Sequence, residues 1–227
     1  MTVHFSKGLP QAAPIAYQPF AERRPTGLYA AFGKRLLDIS LVILLAPIAI
    51  PIVLILAACI AVDGSNPFYS QLRTNADGSK FRMWKLRSMV TGADELLESY
   101  LAANPDERRV WDAVQKLEND PRITPFGRLL RQSSLDELPQ LWNVLRGEMS
   151  IIGPRPMTPD QEHLYPGPFY FGARPGMTGP WQVSDRNDSM FKDRAVHDFH
   201  YRREMSLWTD IRLLVATAVV VFKCTGR

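Results

Sequence analysis

The chain has 227 residues, 46% of them hydrophobic, enough for a packed core with appendages and too apolar for a wholly disordered protein. The formal charge of +4 is carried by residues 1 to 35, where Lys7, Arg23, Arg24, Lys34 and Arg35 face the single acid Glu22. The remainder is balanced, which argues against a nucleic-acid-binding surface, and two isolated cysteines, Cys59 and Cys224, exclude a disulfide framework or a metal-ligand spacing.

In chain order, residues 1–33 read as a basic arm in which Pro10, Pro14, Pro19 and Pro25 discourage regular structure. Ile39 to Val62 follows, 24 residues with Ser40 as the only clearly polar member, long enough for about 30 Å of hydrocarbon. Lys34 and Arg35 stand directly before it and mark a cytoplasmic flank. No small-residue cleavage site follows, so the segment reads as retained. Pro47 and Pro51 each delete a backbone hydrogen bond, and together they predict a sharp break. Residues 34–62 are accordingly expected to form a re-entrant membrane helix broken at those prolines.

From residue 63 to 227 the composition is that of a compact domain. Phe68 to Met89 predicts a hairpin, FYSQLR and FRMWKLRSM joined by NADGSK with Asp77-Gly78 at the tip. On its second strand Phe81, Met83, Lys85 and Arg87 share a face, which sets two cations side by side. Ala93 to Lys116 is helical with a break at Asn104-Pro105, and Pro121 to Met149 is turn and helix. Ile151 to Trp181 is rich in Pro and Gly and reads as irregular chain. Ile211 to Phe222 is apolar but too short to span a bilayer, hence a core or interfacial helix. The fold class is therefore α+β, mostly helical. His197 and His200 stand at helical spacing without partners of metal-site type and read as packing residues.

Three stretches carry candidate chemistry. In SSLDELPQ, Ser133 to Gln140, the paired carboxylates Asp136 and Glu137 precede Pro139. Either Ser134 opens a capping box with Glu137, or Asp136 caps a helix that takes Pro139 in its first turn. Arg128, Arg131 and the Arg155 of GPRP supply cations nearby, the flanking prolines stiffening Arg155 for forked contact with phosphate. ARPGMTGPWQVSDRND, Ala173 to Asp188, offers Arg174, Trp181, Gln182, Arg186 and Asn187 among close-approach glycines; composition alone favours a structural loop over a nucleotide site. Two carboxylates, several arginines and a membrane segment together suit phosphoryl chemistry on a lipid.

KLRSM (85–89), DPRITPFGRLLRQSSLDELPQLWNVLRGEMSIIGPRP (120–156) and RPGMTGPWQVSDRND (174–188) resemble the bacterial sugar transferases, monotopic phosphoglycosyl transferases that begin exopolysaccharide assembly. The similarity runs from about residue 34 to 222 and is most like the short exopolysaccharide-priming members. It implies transfer of a hexose 1-phosphate, glucose or galactose, from a UDP-sugar to polyprenyl (undecaprenyl) phosphate, releasing UMP through a covalent aspartyl phosphosugar. It implies Asp136 as nucleophile and metal contact for Mg2+, and Glu137 as its catalytic partner. Lys85, Arg87, Arg131 and Arg155 match phosphate-holding positions, and Arg174, Gln182 and Asn187 fall in the nucleotide-binding region. It further implies residence at the cytoplasmic face of the inner membrane among membrane lipids, with no nucleic-acid partner and room for a homodimer. The alternative is a catalytically weak scaffold of a glycan assembly complex. The chain departs from the usual pattern at Ala46-Pro47, at Leu86 between the two cations, at Pro180 and at Asp185. Because a UDP-sugar is cytoplasmic, this chemistry favours a helix that enters and returns over one that spans.

Overall fold

The computed structural model describes residues 27–114, 117–184 and 191–222. Within them the fold is mostly helical with two small sheets. In order come α1 (Lys34–Ile60), β1 (Phe68–Thr74), β2 (Lys80–Leu86), α2 (Ala93–Ala103), α3 (Pro105–Val114), α4 (Pro125–Ser133) and α5 (Gln140–Arg146). Then follow β3 (Ser150–Ile152), β4 (Gly176–Thr178), α6 (Pro180–Val183), α7 (Arg194–Glu204) and α8 (Leu207–Phe222).

The hairpin forms where period two and the Asp-Gly turn place it. β1 and β2 pair antiparallel from Phe68↔Leu86 to Thr74↔Lys80, and Gly78 takes the left-handed conformation, φ 84°, that the tip requires. Phe81 and Met83 point into the main core with Val42, Ala49, Leu141, Val144 and Ile152. The free edge of β2 is closed by a side chain: Asn143 Oδ1 accepts from Trp84 N at 3.0 Å and Asn143 Nδ2 donates to Arg82 O at 2.7 Å. That clamp fixes α5 against the strand carrying Lys85.

A helix broken at Pro47 and Pro51 was the expectation for α1; one uninterrupted helix of 27 residues passes through both prolines instead. Its buried residues, Lys34, Asp38, Val42, Ala49, Ala57 and Ile60, make a single stripe at helical spacing, so packing along that stripe keeps helical what proline would interrupt. The helical run also begins at Tyr29, ahead of the expected boundary, while residues 1–26 of the basic arm lie outside the described residues.

Both ends of α1 are tied to the same domain. At the start, Lys34 Nζ lies 2.8 Å from Asp210 Oδ2 on α8, Asp38 Oδ1 accepts from Ser150 Oγ and Ile151 N, and Arg35 donates to the Val144 and Leu145 carbonyls that end α5. At the finish, Ala57 and Ile60 pack on Leu86 and Leu130, and Arg87 Nη2 donates to Ile60 O at 3.2 Å. The opposite face, with Leu36, Leu44, Ile48 and Leu54, is exposed, as are Trp208, Val215 and Val219 of α8. Among the described residues one helical run, Tyr29–Asp63, is long and apolar enough to cross a membrane. At 16 residues, α8 covers about 24 Å and falls short of a span.

The Asn104-Pro105 break separates α2 from α3 as expected. Residues 151–181 contain more order than their composition suggests: β3 and β4 pair in parallel, Ser150↔Gly176 and Ile152↔Thr178. Glycine spacing explains this. A Cβ on Gly153 would sit 2.2 Å from Arg174 O, on Gly176 2.1 Å from Gly153 N, and on Gly179 2.0 Å from Gly153 O. Backbone thus meets backbone at all three, locking the GPRP turn onto the second Pro/Gly segment.

Candidate active site

The site is assembled by the end of β2, the α4–α5 connection and the turn after β3. Thr124 caps α4, its side chain accepting from Gly127 N at 2.9 Å, with Pro125 at the first helical position where the missing N–H costs nothing. Gly127 lets the helix press on the chain beyond β2: a Cβ there would lie 1.9 Å from Ser88 O. This close approach brings Arg131 Nε to 2.9 Å from Ser88 Oγ.

After α4, Ser134 adopts φ 57°, the only non-glycine residue with positive φ among those described. The left-handed step turns the chain into a short 3₁₀ turn, Leu135–Glu137, with Pro139 as N-cap of α5. Neither expected capping arrangement forms. The left-handed step ends α4 first, so Pro139 falls just outside the next helix, where it breaks no bond. Strain of this kind is kept where packing over-determines it, commonly at functional sites.

Asp136 is 6% exposed, and Glu137 next to it is half-buried. Lys85 serves both: its Nζ lies 2.8 Å from Glu137 Oε1 and 3.9 Å from Asp136 Oδ2. Burial raises the Asp136 carboxyl above the ordinary carboxylate range; the Lys85 charge acts against it, Glu137 pushes it further up, and Arg131 pulls it down. The Arg131 guanidinium is lowered by burial and sustained by Asp136 and Asp120.

Arg155, from the GPRP turn, lies over the Trp181 ring, 5.4 Å from its centroid, and shares that ring with Arg194 at 4.3 Å. Burial first, and then the Arg155 charge, push Arg73 and Arg194 each down to about 10. Three guanidiniums are therefore gathered at one place. Arg73 and Arg194 were not singled out from the sequence, since neither sits in a local motif; the fold alone brings them to Arg155.

Other expected residues are dispersed. Arg87 follows Lys85 by two, but its Nη2 bonds Asp63 at 2.6 and 2.8 Å, so the cation secures the end of α1 and does not join Lys85. Arg174 is exposed, and Gln182 is buried on α6. Arg186 and Asn187 lie outside the described residues. Sequence reasoning passed over the buried pair Asp120–Arg122, bonded at 2.8 Å through Nε and 2.6 Å through Nη2, with Arg122 over Trp111. The pair borders Arg131, and its signal was present in the Asp-Pro-Arg stretch.

An apolar cleft of about 510 Å3 is lined by residues of α1 and α8 together with Glu137, Arg155 and Gln182. Among the described residues no group of three or more His, Cys, Asp and Glu stands close enough to enclose a metal. Two adjacent carboxylates do fit a magnesium ion of the kind that keeps water and substrate phosphate as its other ligands.

Compared with known proteins, the chain matches a family model described as bacterial sugar transferase over residues 29–224. It is 46% identical over 197 residues to the UDP-galactose-lipid carrier transferase of Erwinia amylovora, covering 86% of this chain and 41% of that protein. It is 39% identical over 218 residues to the exopolysaccharide production protein ExoY of Rhizobium meliloti, covering 93% and 96% of the two chains. The undecaprenyl-phosphate glucose phosphotransferase of Komagataeibacter xylinus is 34% identical over 210 residues, 86% of this chain and 37% of its own. The chain spans about two-fifths of the length of the first and third of these relatives and nearly all of the second.

Proposed function

The chain belongs to the bacterial sugar transferase family, and from that premise we propose that it transfers a hexose 1-phosphate from a UDP-sugar to undecaprenyl phosphate, the first membrane step of exopolysaccharide synthesis. Galactose is the favoured sugar, because the relative named for galactose is more similar, at 46%, than the one named for glucose, at 34%. The observation that carries the reading is a lysine held by Glu137 beside the buried Asp136.

In the first half-reaction an Asp136 carboxylate oxygen attacks the sugar-bearing phosphorus. The bond from that phosphorus to the bridging oxygen breaks, and UMP leaves with the electron pair. In the second, an oxygen of the lipid phosphate attacks the same phosphorus, the aspartyl oxygen–phosphorus bond breaks, and the carboxylate is restored as polyprenyl diphosphate sugar departs. Two anions must meet in each step, so fixed positive charge lowers the barrier. Lys85 and Arg131 supply it beside Asp136, and Arg155 with Arg73 and Arg194 supplies it beyond. Glu137 acts as a positioning residue, keeping Lys85 against the nucleophile. Magnesium, held by Asp136 and Glu137, would neutralise further phosphate charge when bound.

The same reading includes attachment from the cytoplasmic face, with both ends of α1 on one side. What supports it is that Lys34, Asp38 and Arg35 at one end and Ile60 at the other bond one domain. The two prolines also leave the Ile43 and Pro47 carbonyls without their usual donors, which is costly in mid-bilayer. Cysteines placed at Ala30 and Ser65, in protein lacking Cys59 and Cys224, should label from the same side; opposite-side labelling refutes this topology.

The activity is tested with purified full chain, undecaprenyl phosphate, magnesium and a panel of UDP-sugars. UMP release that needs the lipid and one sugar is expected. No release from any member overturns the assignment.

A further inference from the structure

We propose that Asp120 and Arg122 are positioning residues for the transfer: together with Ser88 they hold the Arg131 guanidinium off the Asp136 nucleophile, so that its terminal nitrogens stay open to the incoming phosphate. This rests on the proposed reaction and adds what keeps one of its cations in place. A free guanidinium beside a buried carboxylate tends to close onto it as a forked pair. Such a pair would occupy both the oxygen that must attack and the charge that must meet phosphate. Here it does not close. Among the described residues Asp136 makes its one ion pair with Lys85, at 3.9 Å, although the Arg131 charge is near enough to act on it.

Two restraints account for this. The first is a hydroxyl: Arg131 Nε donates to Oγ of the buried Ser88 at 2.9 Å. Ser88 is itself fixed, because its chain is laddered to the segment that carries Asp120 and Arg122. Val90 N donates to Arg122 O at 2.9 Å, Thr124 N donates to Ser88 O at 3.2 Å, and Met89 bridges Ile123 between them. The second restraint is charge. Burial weakens the Arg131 guanidinium, Asp136 and then Asp120 sustain it, and Arg122 acts against it. Arg131 is thus drawn toward two buried carboxylates, one that reacts and one that does not.

Asp120 is built for the second part. Arg122 fixes both of its oxygens, Nε donating to Oδ1 at 2.8 Å and Nη2 to Oδ2 at 2.6 Å. Arg122 in turn is buried and lies over the Trp111 ring, 5.1 Å from its centroid. Trp111 belongs to α3 and packs with Leu97, Leu101 and Leu117. Because Arg122 offsets part of the Asp120 charge, the pull on Arg131 is balanced and does not draw it wholly away from the site. The α2–α3 pair, which contributes no side chain to the site described above, thereby gains a role: its core secures the arginine that faces the nucleophile.

The test follows Arg131 directly in the purified full chain. Phenylglyoxal modifies guanidiniums that are not closed into ion pairs, and mass spectrometry of the Arg131 peptide reads the extent. Asp120→Asn removes the second carboxylate, so Arg131 should close onto Asp136 and label roughly tenfold less than in the parent, while the Asp120→Asn/Asp136→Asn double variant returns to within about twofold. Labelling unchanged by Asp120→Asn overturns the proposal. Ser88→Ala strands no buried charge and puts the same question if Asp120→Asn fails to fold: reduced labelling is expected, and parental labelling overturns the proposal. In a second arm, exchange of labelled UMP into UDP-sugar, which needs no acceptor, should fall about 10²-fold in Asp120→Asn, the scale for a misplaced group. Made in an Arg131→Gln background, the same substitution should cost no more than about twofold. An equal loss in both backgrounds is plain destabilisation and overturns the proposal. Parent protein that labels as expected yet neither exchanges nor releases UMP overturns the transferase reading and leaves the placement of Arg131 standing.

Discussion

The Lys85 ammonium lies 2.8 Å from Glu137 Oε1, and this bond places a fixed cation 3.9 Å from Asp136 on a strand that Asn143 holds rigid. Lys85→Met keeps the stem and removes the charge. Transfer should fall about 10²-fold, the usual scale for losing one preorganised electrostatic contact. The nucleophile must be ionised, and Lys85 lowers the Asp136 carboxyl, so the acid limb of kcat/KM should move to higher pH in the variant. A pH–rate profile with an unmoved limb would separate Lys85 from Asp136.

Asp136→Asn conserves size and removes the attacking oxygen. Transfer and UMP exchange should both disappear while the variant still folds and fractionates with membranes. Mass spectrometry of the parent incubated with UDP-sugar alone should find a phosphohexose on the Asp136 peptide. Near-parental turnover by the variant would sink the covalent route.

The buried charges at the start of α1 carry stability. Lys34 Nζ stands 2.8 Å from Asp210 and 3.7 Å from Asp38, and both carboxylates are fully buried. Lys34→Met leaves two buried acids with their neutral hydrogen-bond donors but without a cation, which should cost about 3–5 kcal/mol. Thermal unfolding in detergent would show it as a large drop in Tm; Lys34→Met with an unchanged Tm would mean that α1 is anchored by its apolar stripe alone.

Asp198 is buried, and burial pushes its carboxyl up to about 7, against the Tyr165 hydroxyl bond at 2.6 Å and the Arg194 charge. A carboxyl raised in the folded state contributes stability below its unfolded value near 4, and this is lost as pH climbs toward 7. Asp198→Asn should therefore flatten the decline of Tm between pH 4 and 7 and exceed the parent above pH 7. The same slope in both proteins would show that Asp198 does not set it.

Gly127→Ala tests the contact that carries Arg131. The added Cβ would lie 1.9 Å from Ser88 O, which neither backbone can yield cheaply. A loss of about 1–3 kcal/mol is expected, together with reduced transfer as α4 is pushed from Ser88. Gly64→Ala, with φ 79° and nothing within 4 Å, should cost only its backbone strain and spare activity. Urea unfolding of the two variants, read against their transfer rates, makes the comparison.

Local patterns in the sequence carried much of this architecture. Alternation and Asp77-Gly78 placed the hairpin, Asn104-Pro105 placed the α2–α3 break, and the Asp136-Glu137 pair stood out beside Pro139. Such signals were legible because turns, strand alternation and caps are set by residues only a few positions apart. The apolar length of α1 was equally plain, but its unbroken helical course through Pro47 and Pro51 was not, because the stripe of α1 packs on distant segments.

What the tertiary structure alone decided are the partners. Lys34 meets Asp210 across most of the chain, Arg73 and Arg194 gather at Arg155, Arg87 turns away to Asp63, and β3 finds β4 through glycines that a periodicity search reads as loop. Each depends on which surfaces meet once hydrophobic burial has closed the core. Composition and spacing determined that this chain holds one long apolar helix and paired carboxylates. Packing determined which cation serves them, and that residues of two apolar helices line a cleft beside Glu137.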